Sequence, residues 1–425
     1  MNRVAMLNTT HFANKGSMGR IEGMIRCLDK TMPGTEITIF HRYFKQDNGA
    51  ISKQLMETYP NLIITEHPWF REESSYVVTA ATSLIRFSSL AFLQILSSRL
   101  SRSKDLERYD AVLDLNFIEP DKLTDKYDLV SAVGNFFALL NVWYATLSKT
   151  PVMICSATVG PYYNRFLREF ARIVLNKTNI ITLREEYSQR YLSNIGVNRP
   201  YIELSADLAF LMEPPKTDKL NDILKDLSIT SSNRPLIGIT PAAMANSYLP
   251  EPLYIKLISE LSDFLINNFD ATIIYMANTY QDVSLVQKIC QSIKNGERAK
   301  ILPFTLSASE TKGVIGICDL FICSRFHALV ASTSLGVPSL GLVSYSPNKF
   351  HGIIGKMMGQ EDYLLDIGPG FQYDDFMSTL KLKAGYLLSN RELVSHKLRE
   401  QGEKVRNQTL LNGVLIKKLI TSSKT

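Results

Sequence analysis

The residues best suited to chemistry lie together in one short stretch, Cys318-Asp319-Leu320-Phe321-Ile322-Cys323-Ser324-Arg325-Phe326-His327-Ala328, which runs on to Gly336-Val337-Pro338. The apolar run reads as a buried strand, Ser324-Arg325-Phe326-His327 as an abrupt turn, and Ala328 to Thr333 as the start of a helix. In an open α/β sheet, ligands bind at the carboxyl ends of the strands. A helix N-terminus there presents unsatisfied N–H groups and a partial positive charge. Arg325 adds a fixed cation, and His327 adds a group that exchanges a proton near neutral pH. Together they suit a small anion, a phosphate or a carboxylate, in a reaction that moves a proton. The plainer alternative pairs Arg325 with a nearby carboxylate and uses His327 as a helix cap.

Other strand exits carry further candidates. After the first strand, Asn14-Lys15-Gly16-Ser17-Met18-Gly19 leads into a helix. Gly16 and Gly19 allow a ligand close to the backbone, and Asn14, Lys15 and Ser17 supply donors. The alternative is a tight turn with Ser17 as N-cap. The loop is not G-x-G-x-x-G, so nicotinamide dinucleotide binding is not expected. Ser156-Ala157-Thr158-Val159-Gly160-Pro161 is a small-residue turn at a strand end. Arg184 follows an apolar strand and can fork onto a carboxylate or phosphate, or pair with Glu185 or Glu186. Asp207 can accept from a hydroxyl, orient Arg184, or cap. Lys349, in Tyr345-Ser346-Pro347-Asn348-Lys349, belongs beside the Ser324–His327 turn if consecutive strands are neighbours, and is otherwise a surface residue. Ser307-Ala308-Ser309-Glu310 is a capping box with a structural role.

Positioning these residues requires a repeated α/β frame. Short β-branched runs alternate with longer helical patterns, which predicts parallel sheets. First-half strands are expected at Arg3–Leu7, Glu36–Phe40, Leu62–Thr65, Ala111–Leu115, Leu129–Val133, Val152–Ser156 and Ile180–Leu183. Second-half strands are expected at Leu236–Thr240, Ala271–Ala277, Lys300–Leu302, Leu320–Cys323, Ser339–Leu342 and Tyr363–Asp366. Glu213-Pro214-Pro215 and the polar run Thr230–Pro235 mark a linker. The expected architecture is α/β: two Rossmann-like domains with a cleft between them, spanning 1–215 and 216–370, followed by a helical segment over 371–425.

A chain of 425 residues suits two domains. Its 45% hydrophobic and 21% charged residues exclude wholesale disorder. The net charge of +6 is dispersed, with no basic run interleaved with aromatics, so no nucleic-acid partner is expected. Five scattered cysteines fit buried thiols in a reducing compartment. No C-x-x-C or H-E-x-x-H pattern occurs, so no metal site is expected. The N-terminus reads as a first strand and not as a signal peptide. Residues 84–100 are apolar but interrupted by Arg86, Gln94 and Arg99, too polar for a membrane span. They read as a helix packed on the first domain or, alternatively, as a peripheral contact with an anionic membrane face. The expected location is the cytoplasm, with that contact on the inner face of the membrane.

In order along the chain, these segments resemble the polysaccharide pyruvyl transferase family. Cys318–Pro338 is similar to its strand–S-R-x-H-A–helix–G-V-P block, and Tyr345 with Lys349 to its Y-x-x-K loop. Ser156–Pro161, Leu183–Ser188 and Asp207–Leu211 are weaker matches in the same order. Asn14-Lys15-Gly16-Ser17 departs from the family's N-x-G-D, and the family's Gly-rich run is reduced to Val133-Gly134-Asn135. The resemblance implies a fold like that of GT-B glycosyltransferases. It also implies transfer of pyruvate from phosphoenolpyruvate, the donor substrate, to sugar hydroxyls of a glycan acceptor, with no cofactor. In that reading Arg184, Arg325 and Lys349 hold the anionic groups. Ser324, Asn14, Gly16 and Asp207 line the substrates, and His327 is the general acid or the base that activates the hydroxyl. The rival readings are a GT-B glycosyltransferase using a nucleotide sugar and a non-catalytic protein binding a phosphometabolite or glycan.

Overall fold

The structure, a computed structural model, describes residues 2–9, 12–41, 50–67, 104–115, 129–227, 229, 234–243 and 248–423. Residues 84–100, with their expected helix and its alternative membrane contact, and the linker residues 230–233 lie outside the described residues. The chain divides into two compact units. The first comprises 1–13, 20–208 and 408–425; the second comprises 14–19 and 209–407.

The first unit holds a seven-stranded sheet in the order β3-β2-β1-β4-β5-β6-β7. Its strands are β1 (Arg3–Thr9), β2 (Glu36–His41), β3 (Leu62–Glu66), β4 (Ala111–Asp114), β5 (Val152–Ala157), β6 (Ile180–Leu183) and β7 (Tyr201–Leu204). The second holds six strands in the order β10-β9-β8-β11-β12-β13. These are β8 (Leu236–Thr240), β9 (Thr272–Tyr275), β10 (Ala299–Ile301), β11 (Leu320–Cys323), β12 (Ser339–Val343) and β13 (Leu364–Asp366). Every pairing in both sheets is parallel. The expected α/β class with two Rossmann-like sheets is therefore what the chain adopts. Central strands such as β5, β8 and β11 are buried along their whole length. This is why they read as continuous apolar runs: helices cover both faces of a parallel sheet.

Two elements differ from expectation. The Leu129–Val133 run is the start of an 18-residue helix, Leu129–Thr146, and not a strand. That helix packs Leu139 and Val142 into one core cluster and Phe137, Leu140 and Tyr144 into another. A helix apolar on nearly every side gives no 3.6-residue stripe, so a short window of it mimics a buried strand. Conversely, β7 is not among the expected strands: it is the edge strand of its sheet, only four residues long, and none of them is buried.

In the second unit, strand order reverses between β8 and β11, and the Ser324–His327 turn leaves β11 at that switch point. The helix it opens runs from Phe326 to Ser334, two residues earlier than its sequence suggests. Its end explains the Gly-Val-Pro block. Gly336 adopts φ +79°, which a side chain disfavours, and a Cβ there would press on Arg399. Val337 N–H then bonds back to Ser332, and the chain turns into β12. The C-terminal segment is helical as expected, over Tyr373–Ser389, Arg391–Thr409 and Leu411–Ser423, and its last helix packs with the first unit. Among the described residues no helix is long and apolar enough to cross a membrane.

Candidate active site

The second unit gathers Asn14, Gly16, Ser324, Arg325, His327 and Lys349. Arg325 is the N-cap of the helix Phe326–Ser334, which places His327 in its first turn. With Arg325 buried at 9% exposure, its charge must be matched. The match is Asp282, in the helix Tyr280–Ser292 beyond β9. Arg325 Nε donates to Asp282 Oδ2 at 3.0 Å, and a second guanidinium nitrogen donates to Oδ1. Asp282 also accepts from Thr279 N and Oγ1 at 2.9 and 3.0 Å, and from Ala243 N at 2.9 Å. One fully buried carboxylate thus ties together the exits of β8, β9 and β11. Burial alone would make the guanidinium easier to deprotonate, but Tyr345 and Asp282 outweigh it and hold the charge more firmly.

Lys349 leaves β12, the neighbour of β11, and it is buried rather than exposed. Its Nζ lies 5.1 Å from the ring centre of Tyr345 and 5.5 Å from that of Phe326. The two rings hold the ammonium through cation–π attraction. Tyr345 is hydrogen-bonded to Arg325 as well, so it links the two cations. Ser324 Oγ lies 2.7 Å from the Tyr254 hydroxyl.

Asn14 and Gly16 pack within this unit. Asn14 Oδ1 accepts from the N–H groups of Gly16 and Ser17 at 3.0 and 3.3 Å, so Asn14, not Ser17, caps the helix Lys15–Thr31. Gly16 lies against the catalytic candidate. A Cβ on it would fall 2.7 Å from Cγ and 2.9 Å from Cβ of His327, closer than van der Waals contact allows. Lys15 is also buried, donating to the carbonyls of Phe304, at 3.1 Å, and Leu306. Burial lowers its pKa to about 8, with Glu310 pulling the other way.

Arg184 and Asp207 belong to the first unit and are both wholly buried. Arg184 pairs with Asp207 at 2.5 Å, not with Glu185 or Glu186, and its Nε donates to Thr158 Oγ1 at 2.7 Å. Asp207 therefore orients Arg184. Two buried groups in this region had no sequence signal. Arg20 donates to the carbonyls of Leu115, Cys155 and Ser156 at the ends of β4 and β5. Glu185 accepts from the Ser188 hydroxyl and N–H. Burial pushes the Glu185 carboxyl up to about 6, against the pull of Ser188, Arg184 and Thr158. Asp282 was equally missed: Thr279-x-x-Asp282 spells a helix cap, but nothing local announces a partner at Arg325. Among the described residues no group of three or more His, Cys, Asp or Glu side chains could hold a metal ion.

A family model for polysaccharide pyruvyl transferase matches residues 34–347. The chain is similar, at 22% identity over 267 residues, to the amylovoran biosynthesis protein AmsJ of Erwinia amylovora. That match covers 58% of this chain and 64% of AmsJ, so the chain spans just under two thirds of the relative's length. Among solved structures, the chain resembles HepE of Anabaena in complex with UDP and glucose, with a TM-score of 0.58 and 12% identity over 99% of this chain and all of that one. It also resembles UDP-GlcNAc 2-epimerase of Neisseria meningitidis bound to UDP-GlcNAc, with a TM-score of 0.56 and 11% identity over 97% of this chain and all of that one. At these identities the likeness shows the fold alone, which is GT-B-like.

Two consequences are measurable. Gly16→Ala should displace the His327 imidazole and cost activity at least about tenfold, since misplacing a reacting group by about 1 Å is that expensive; its thermal midpoint should fall only slightly. Unchanged turnover would show that His327 needs no such seat. For Glu185, the native pKa of about 6 lies above the ordinary 4.5, so folding favours the protonated carboxyl. That contribution is fully present below pH 4.5 and is lost as pH rises through 6. Glu185→Gln cannot ionise, so its stability relative to the parent should improve by about 2 kcal/mol between pH about 4 and about 7. Urea unfolding at both pH values reads this, and a pH-independent difference would contradict it.

Proposed function

Since this chain belongs to the polysaccharide pyruvyl transferase family, we propose that it moves pyruvate from phosphoenolpyruvate onto two hydroxyls of a glycan, forming a ketal and releasing phosphate. The observation that carries this reading is the β11 exit. There the start of a helix and the paired Arg325 share one strand end with His327, and the ring-held Lys349 comes to it from the neighbouring β12 exit. A donor bearing phosphate and carboxylate needs that density of directed positive charge.

The chemistry follows from the donor. A proton delivered to the methylene carbon turns the enol carbon into a cationic centre. A sugar hydroxyl adds there and gives up its proton. Phosphate departs with the electrons of its C–O bond, and the second hydroxyl closes the ring, losing the last proton. His327 is assigned the proton transfer, as the acid or as the base on the hydroxyl. Arg325 and Lys349 stabilise the leaving phosphate. Ser324 and the Asn14–Gly16 backbone are assigned to substrate contact. For the first unit the proposal is narrower: Arg184 serves substrate binding while Asp207 carries its charge. All five cysteines are free, which supports placing this reaction in a reducing, cytoplasmic setting.

The test is to incubate the full-length protein with phosphoenolpyruvate and a panel of glycosides, oligosaccharides and nucleotide sugars. Phosphate release accompanied by a pyruvate ketal on one acceptor is expected. Turnover of a nucleotide sugar without phosphoenolpyruvate would overturn the reading. His327→Asn should lower kcat by about 10²–10⁴-fold with the fold intact, and parent-like turnover would remove His327 from the role. Arg325→Lys is a cleaner variant than Arg325→Gln, because it keeps a cation beside buried Asp282. The glutamine change would leave that carboxylate uncompensated, at a cost of about 3–5 kcal/mol. Arg325→Lys should chiefly raise the KM for phosphoenolpyruvate.

A further inference from the structure

We propose that Asn412, on the last helix, is a positioning residue that fixes the three adjacent strand exits bearing Thr158, Arg184 and Asp207. Asn412 is wholly buried and belongs, with residues 408–425, to the first unit. Its Oδ1 accepts from Thr182 Oγ1 at 2.6 Å. Its Nδ2 lies 3.0 Å from Ser156 Oγ, 2.8 Å from Ser205 Oγ and 2.8 Å from the Thr409 carbonyl. One amide side chain therefore touches the ends of β5, β6 and β7 within two residues of Thr158, Arg184 and Asp207.

The proton arrangement of this cluster is fixed. Ser156 Oγ donates to the Ala206 carbonyl at 2.6 Å, and Ser205 Oγ donates to the Gln408 carbonyl at 3.2 Å. Each serine has spent its only proton and can do nothing for Asn412 except accept. Thr182 Oγ1 accepts from Ser156 N–H at 2.8 Å and turns its proton to the nearer of two acceptors, Asn412 Oδ1 at 2.6 Å and not the Ile154 carbonyl at 3.3 Å. A side chain with an acceptor on one arm and an NH₂ on the other, its two protons shared among three acceptors, suits these partners, which singles out an amide.

The need for such a brace is visible in the backbone. Ser156 has φ +47°, the left-handed region that a residue with a Cβ avoids, and β5 slips register against β6 between Ile154 and Ala157. A conformation of this kind persists only where the surroundings over-determine it, and it is characteristic of functional sites. The bulge redirects the chain so that Thr158 Oγ1 meets Arg184 Nε. Asn412 holds the bulge on one side, and Arg20, bonded to the Cys155 and Ser156 carbonyls, holds it on the other.

The inference rests on the proposed role of the first unit's exits in substrate binding, but its structural half can be tested without that role. In the full-length protein, Asn412→Ala and the near-isosteric Asn412→Leu should each raise amide exchange at least tenfold in peptides covering 152–161, 180–188 and 201–208. The second unit should be unchanged. Asn412→Asp should be worse than either, because its carboxylate would face serine oxygens that have no proton to give. If Asn412→Leu exchanges like the parent, or if exchange rises evenly over the whole chain, the brace is overturned. Should the Asn412 variants fail to fold, Ser205→Ala removes one acceptor for Asn412 and one donor to the Gln408 carbonyl, and should loosen the same three segments to a smaller degree; no local change would refute the cluster. With any glycoside that the parent turns over, Asn412→Ala should raise KM more than tenfold well below its melting temperature, and a purely structural residue would leave KM alone there. An absence of turnover by the parent would sink the proposed function, while the exchange pattern would still decide the brace.

Discussion

The constraint on which both units depend is the neutralisation of a guanidinium at the dry end of a parallel sheet. Helices cover both faces of such a sheet, so its strand exits are where polar groups and ligands gather, and those exits are still nearly water-free. Arg184 and Arg325 each occupy such a position, and each is matched by an aspartate from another element. Without the aspartate, a buried unpaired charge would cost several kcal/mol. With it, the pair becomes a fastener between loops. Asp282 shows this most fully, since it takes bonds from the exits of three strands at once. The loops are therefore as rigid as their charge balance, which is the rigidity a reacting group requires.

Charge balance also shapes what these exits can do for an anion. Arg325 is already paired, so its contribution is the fixed direction of its N–H groups more than surplus charge. Lys349 is held differently. The faces of Tyr345 and Phe326 steady the ammonium. The start of the helix Phe326–Ser334 adds the partial positive charge of a helix N-terminus beside it. On the proposed reading, Lys349 and the helix start contribute charge to the binding of a donor with two anionic groups, and Arg325 contributes directed N–H groups to the same binding.

Much of this was legible in the sequence because parallel sheets write themselves plainly. Buried strands appear as unbroken apolar runs, and the Ser324–His327 turn and the Ser307–Glu310 cap fall where local chemistry puts them. What was not legible has one physical character: it depends on partners distant in the chain. Asp282 lies 43 residues from Arg325, and Asn412 lies 256 residues from Ser156. Neither residue departs from what a helix cap or a polar tail position would contain. The misread Leu129–Val133 helix is a milder form of the same problem, because its burial on several sides erases the helical stripe, whereas the missed Tyr201–Leu204 strand is short, at the sheet edge and not buried.

The glycine at position 16 shows how a departure from the family's pattern can still carry a functional constraint. The N-x-G-D loop of the resemblance is reduced here to Asn14-Lys15-Gly16-Ser17, without the acidic residue. Yet Asn14 caps the helix, and Gly16 is the surface on which the His327 ring rests. The serine at position 17 lies inside the helix, where a carboxylate would add a negative charge near the N-terminus but would not be needed for the cap. The two features that remain are those with a geometric job, seating the helix and leaving room for the imidazole. In this loop, space beside His327 is a stricter requirement than charge.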